Sequence, residues 1–135
     1  MNSLLVMVSL LAIWPWSSAK EYHMKASNSV PAATGMVNTQ KDKDNGNTKL
    51  EIKVDHLASP ASLTPPASDY IVWVLPHGGA GAVKQGAIRI DKDLKGELKA
   101  VTVSKDFNVF ITAEKSESVS VPSEFKVLDA HVSLP

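Results

Sequence analysis

The sequence predicts an all-β domain: an Ig-like antiparallel β-sandwich of about seven strands, preceded by a signal-peptide-like helix. Three observations carry this. Short apolar or alternating runs recur roughly every 8–14 residues after residue 31. Clusters of Gly, Asn, Asp, Ser and Pro separate them. No stretch after residue 20 places its apolar residues at a helical period.

The chain begins with an apolar block, Leu4–Trp16, followed by Ser17-Ser18-Ala19 and the charged pair Lys20-Glu21. Small residues at 17 and 19 suit signal-peptidase cleavage after Ala19. The block is short of the ~20 residues a membrane-spanning helix needs. Residues 1–19 are therefore read as a signal peptide, with retention as an anchor as the alternative. Met1-Asn2-Ser3 has no basic side chain, a departure from the usual signal pattern. Residues 20–31 are polar and read as a flexible arm, and residues 32–135 as the sandwich domain.

Ala32–Gln40 is the first strand candidate, with Gly35, Val37 and Thr39 on one face. Lys41–Asn47 ends in Asn45-Gly46-Asn47, residues that tolerate the positive φ of a tight turn. Thr48–Leu57 alternates most cleanly: Leu50, Ile52 and Val54 face one way, Lys49, Glu51, Lys53 and Asp55 the other. Such a strand has one buried and one wet face. Ala58–Asp69 holds Pro60, Pro65 and Pro66, and reads as a crossover between sheets because proline cannot serve a central strand.

Tyr70–Leu75 is apolar on both faces, as a strand covered on both sides requires. With the loop Pro76–Gly81 and the run Val83–Asp91 it forms the expected central hairpin, Ile88 and Ile90 inward and Arg89 outward. Lys92–Gly96 is a polar turn and Glu97–Val103 the next strand. Phe107–Glu114 places Phe107, Val109, Ile111 and Ala113 on one face. Lys115–Ser123 is Ser-rich, and Glu124–Val132 is the last strand, with Phe125 and Val127 on one face.

The composition narrows the function classes. Fourteen basic residues balance fourteen acidic ones, and Arg89 is the only arginine. No basic excess or arginine cluster points to nucleic acid. The absence of cysteine excludes disulfides, thiolate metal sites, a cysteine nucleophile and a lipoprotein anchor.

The second half resembles the extracytoplasmic C-terminal domain of the anti-sigma-K factor family. The resemblance rests on Tyr70-Ile71-Val72-Trp73-Val74, on Gly86–Asp91 with Leu94 and Gly96, on Val109–Glu114, and on Pro122 before the last strand. It covers roughly residues 50–130. It implies an exported Ig-like sandwich in the bacterial envelope, and no active-site residues. The family's sigma-binding domain and full transmembrane helix have no counterpart in this sequence, so sigma-factor binding does not carry over.

Each chemical motif has a plainer reading. Asp42-x-Asp44-Asn45-Gly46 invites calcium, but Gly46 and Lys53 stand where an EF-hand loop counted from Asp42 would differ, and lysines alternate with the acids. It reads as a hairpin turn. The glycines of the 76–81 loop lack the Gly-Lys-Ser/Thr ending of a phosphate loop and lead into a strand. That loop is a candidate contact surface formed by His77, Gly78, Gly79 and Gly81. The four histidines show no ligand spacing; His56 and His77 make the best pair if a metal is bound. Glu114 and Glu117 read as solvated carboxylates beside the Ser-rich loop.

The expected function is therefore an exported, periplasmic or extracellular, non-enzymatic binding, sensory or envelope-interaction module. It has no catalytic residues, metal or cofactor, a protein partner or self-association, and no membrane span after cleavage. The alternatives are a surface protein that assembles through edge strands or the 20–31 arm, and a small metal-dependent enzyme using His56 and His77.

Overall fold

The computed structural model describes residues 19–79 and 81–135. The expected signal peptide, residues 1–19, lies outside them except for Ala19. The described residues form eight strands: β1 (Lys20–Ala26), β2 (Thr34–Lys41), β3 (Thr48–Asp55), β4 (Asp69–Pro76), β5 (Val83–Ile88), β6 (Gly96–Thr102), β7 (Asp106–Glu114) and β8 (Lys126–Ser133). One short 3-10 turn, Pro60–Ser62, sits in the proline-rich crossover.

The strands make one antiparallel sheet in the order β5-β4-β7-β8-β1-β2-β3-β6. It is nearly closed, and its two edges approach each other. A Cβ on Gly86 of β5 would lie 3.6 Å from the Leu98 side chain of β6. A Cβ on Gly96, where β6 starts, would lie 2.7 Å from the Arg89 carbonyl oxygen just beyond β5. Only glycine permits that approach.

The pattern of alternation explains the curl. Val37, Leu50, Ile52, Val54, Tyr70, Val72, Val74, Phe107, Val109, Ile111 and Val132 all point to one side and are buried in a single core. Leu57 and Leu63 from the crossover, with Val30 and Ala33 before β2, join that core from one end. Tyr70 donates its hydroxyl hydrogen to the Ala58 carbonyl at 2.6 Å, tying the crossover to β4. The same end receives the finish of β3 and β7 and the start of β4 and β8.

Three expectations change. The sheet has eight strands, because residues 20–26 of the expected flexible arm form β1. Its Lys20–Met24 segment pairs with β2, and Lys25 and Ala26 pair with β8, so β1 joins the two four-stranded halves. Tyr22 and Met24 alternate toward the core, a signal too short to stand out among Lys20, Glu21, His23 and Lys25. The β4–β5 hairpin is not central, since β5 is an edge strand and β4 lies between β5 and β7. In β8 the register shifts opposite Ile111 and Thr112, and Val127 and Leu128 are both buried, a bulge that alternation alone does not foresee.

Candidate functional site

Strands β4 and β7 are apolar on their outer face as well. Ile71, Trp73 and Phe110 alternate outward and should be wet by the logic of a sheet with one core. They form instead a second buried cluster, with Ala82, Ala87 and Val119 packed against it. Val119 belongs to the Ser-rich loop, residues 115–123, which lies across this face as a strap.

Polar contacts hold the strap. Lys84 of β5 donates to the carbonyls of Glu117 and Val119, the latter at 3.0 Å. Arg89 pairs with the Glu117 carboxylate at 2.9 Å. At the strap's far end the indole Nε1 of Trp73 donates to Thr112 Oγ1 at 2.8 Å, and that hydroxyl donates to Glu114 Oε2 at 2.5 Å. The same carboxylate oxygen accepts the backbone N–H of Ser123 at 2.9 Å. A chain of hydrogen bonds thus runs from the buried indole through Glu114 to the strap.

This corrects the expectation for one of the two glutamates. Glu114 is only 5% exposed, whereas Glu117 stays solvent-exposed as expected and pairs there with Arg89. The burial of Glu114 follows from sheet geometry: Phe110, Thr112 and Glu114 share the outer face of β7, and the strap covers it. Glu114 also lies directly across from Asp69 on β4. Among the described residues no ion pair uses Glu114 or Asp69.

Beside the strap is a groove of about 580 Å³ lined by Pro65, Pro66, Val119, Ser123, Glu124 and Phe125, with Glu114 and its neighbours at its floor. The two walls are separate stretches of chain, the crossover and the strap's end. A larger groove, about 730 Å³, crosses the outer face of the other half. Its charges balance: Lys53, Arg89 and Lys95 against Asp55, Asp91 and Glu97. Within it the hydrogen bond from Lys53 to Glu51, reinforced by the charges of Glu51 and Glu97, raises the lysine amine above its ordinary pKa.

The candidate contact loop is at the opposite end of the sheet. His77, Gly78, Gly79 and Gly81 are exposed at the β4–β5 tip. The His77 N–H donates to the Asp106 carbonyl at 2.9 Å, and the Gly79 N–H to that of Pro76 at 3.1 Å. Gly78 has φ +71°, which explains glycine there.

The histidines do not converge. His56 follows β3 at the crossover end, and His77 follows β4 at the other, roughly 25 Å away by the rise of an eight-residue strand. One metal ion cannot be held by both, which overturns that pairing. Among the described residues no group of three His, Asp or Glu side chains could hold a metal ion. His131 is the best-fixed histidine, with Asn108 Oδ1 2.6 Å from Nδ1 and Asp106 Oδ1 3.0 Å from Nε2. Each ring nitrogen thus faces an oxygen, and the neutral ring donates to only one of them. This cluster went unseen in the sequence because Asp106 and His131 meet only through β7–β8 pairing.

No family model and no curated protein matches the chain.

Proposed function

We propose that this protein is an exported, non-enzymatic β-sandwich that acts as a binding, sensory or envelope-interaction module, periplasmic or extracellular. The observation that carries the binding reading is Glu114. A buried carboxylate with no cationic partner among the described residues opens onto a groove between two loops. Loops held on a rigid sheet are where binding residues concentrate. The His77–Gly81 tip is the second candidate contact surface, at the far end of the same scaffold.

Export is supported by the apolar block and the small residues before Lys20. The sheet starts at Lys20, so cleavage after Ala19 would leave every strand whole. The Ig-like reading is favoured by the pairing order. Antiparallel pairs β3–β6 and β4–β7 are each reached by a crossover, and β5 and β8 flank the second pair. This matches an Ig arrangement in which β3, β6, β4 and β7 stand for strands B, E, C and F. The resemblance to the anti-sigma-K extracytoplasmic domain agrees with that arrangement and with an envelope location.

Assembly through strand edges is less well supported. Strand β1, formed by the arm that reading invoked, has neighbours on both sides. The two edge strands face each other across the seam rather than solvent alone.

The test combines N-terminal sequencing of the protein from cell fractions with capture of partners from the envelope. The expected result is a mature chain beginning at Lys20 in the exported fraction, with a reproducible partner. A chain retained in the cytoplasm with Met1 intact overturns the reading.

A further inference from the structure

We propose that the groove floored by Glu114 binds a lysine or arginine side chain carried on an extended segment of a protein partner. The inference rests on the binding-module reading and names what that module recognises.

Three features of the groove converge on a cation with an apolar stem. The first is charge. Glu114 is 95% buried by its 5% exposure, and its Oε2 takes both donors, Thr112 Oγ1 and the Ser123 N–H. Its other oxygen, Oε1, receives no hydrogen bond from the described residues. That oxygen is free to accept from the groove, and a cation delivered to it forms a strong, charge-assisted hydrogen bond. Asp69, cross-strand from Glu114, and Glu124, at the rim, add negative charge, against which Lys115 is the single basic lining residue.

The second feature is the wall. Pro65, Pro66, Val119 and Phe125 offer apolar surface on either side of the carboxylate. Lys and Arg bury their methylene stems on such surface while their head seeks charge. A bare metal ion gains nothing from these walls. The third is size. A volume of about 580 Å³ open to solvent exceeds what one basic side chain fills and leaves room for the flanking residues of an extended segment. An enclosed small-molecule site would bury its ligand on most sides.

Glu114 also fastens the strap, so a structural role must be separated from a recognition role. Glu114→Gln does this. The amide oxygen can still accept from Thr112 and Ser123, while the charge facing the groove is gone.

The experiment titrates the isotope-labelled full chain with two acetylated, amidated alanine pentapeptides, one with arginine and one with norleucine at its centre. Backbone amide shifts are followed by NMR. The expected result is saturable shifts at Lys115, Ser123 and Phe125 with the arginine peptide. Binding of the norleucine peptide should be at least about tenfold weaker, a typical loss for a desolvated charge-assisted contact. Glu114→Gln should remove the arginine preference and leave the unfolding midpoint nearly unchanged. Equal binding of both peptides, shifts confined to other surfaces, or a preference that survives in Glu114→Gln overturns the proposal. If Glu114→Gln does not fold, the arginine–norleucine contrast in the wild-type chain decides alone. Agmatine binding as tightly as the arginine peptide would make this a small-amine site and overturn the partner assignment. Silence of the groove while the envelope partner is still captured sinks this site and leaves the binding-module reading standing.

Discussion

The two apolar clusters of this protein are covered by different means. The inner core, with Ile52, Val72 and Ile111 fully buried, is enclosed by the sheet's own curvature and closed at one end by Leu57 and Leu63. The outer cluster of Ile71, Trp73 and Phe110 is just as buried but is covered by a Ser-rich strap. The sheet protects its core with backbone ladders along every strand. The strap relies on one apolar residue, Val119, and on side-chain bonds from Lys84, Arg89 and Glu114. Ordering a loop costs roughly 1–2 kcal/mol per residue in backbone entropy. The strap is thus the less secured cover, and it is also one wall of the Glu114 groove.

The largest effect expected is from Trp73→Ala. It removes the biggest side chain of the outer cluster and leaves Thr112 without its indole donor. Denaturant unfolding followed by circular dichroism should show a loss of about 3–5 kcal/mol. A variant close to wild type would mean the strap's cluster contributes little, and the contrast would collapse.

Ile52→Ala probes the other side of the comparison. Ile52 is fully buried and central in β3, so about 2–5 kcal/mol should be lost in the same assay. Here the transition should stay single, because the inner core belongs to every strand. A separate early transition would show that the two halves of the sheet unfold independently at the short β1–β8 junction.

Tyr70 sharpens the comparison through pH. Burial pushes its phenol up to about 12 from an ordinary value near 10. Between those values the unfolded chain has lost the proton that the folded chain keeps. Stability is therefore complete below about pH 10 and declines as pH rises toward 12. Melting temperatures across that range should fall, and Tyr70→Phe should flatten the part due to this group. The substitution also removes the hydroxyl bond to Ala58, at a cost of about 1 kcal/mol. An unchanged slope in Tyr70→Phe would place the alkaline sensitivity elsewhere.

The smallest effect is expected from Val119→Ala. Deleting two methyl groups from a partly buried strap residue should cost about 0.5–1.5 kcal/mol. Its informative readout is acrylamide quenching of Trp73, the only tryptophan in the chain from Lys20 onward. Quenching should rise while the fold is retained. No change would show that the polar contacts alone hold the strap down.

Most of the strands were legible because their alternation is long and clean. β3 and β7 sit within a residue or two of the expected bounds, and Phe107, Val109, Ile111 and Ala113 share the buried face as their spacing requires. β1 was harder to read, because only Tyr22 and Met24 mark its inward face between charged residues. The functional candidates were the least legible. Glu114 and Glu117 differ by three residues in a polar stretch, yet one is buried under the strap and the other pairs with Arg89. Local composition carries no information about which loop folds back over which strand.

The sequence by itself determined the all-β class and, for strands with clean alternation such as β3 and β7, their approximate bounds and the residues that face the core. These follow from a period of two and from turn chemistry, both local properties. Only the tertiary structure decided that the strands form one nearly closed sheet of eight, that β1 bridges its halves, and that His56 and His77 lie at opposite ends. It also decided that a strap covers Trp73 and leaves Glu114 facing a groove. Such features depend on contacts between residues far apart in the chain, whose cost in loop closure is repaid only when the whole sheet is assembled.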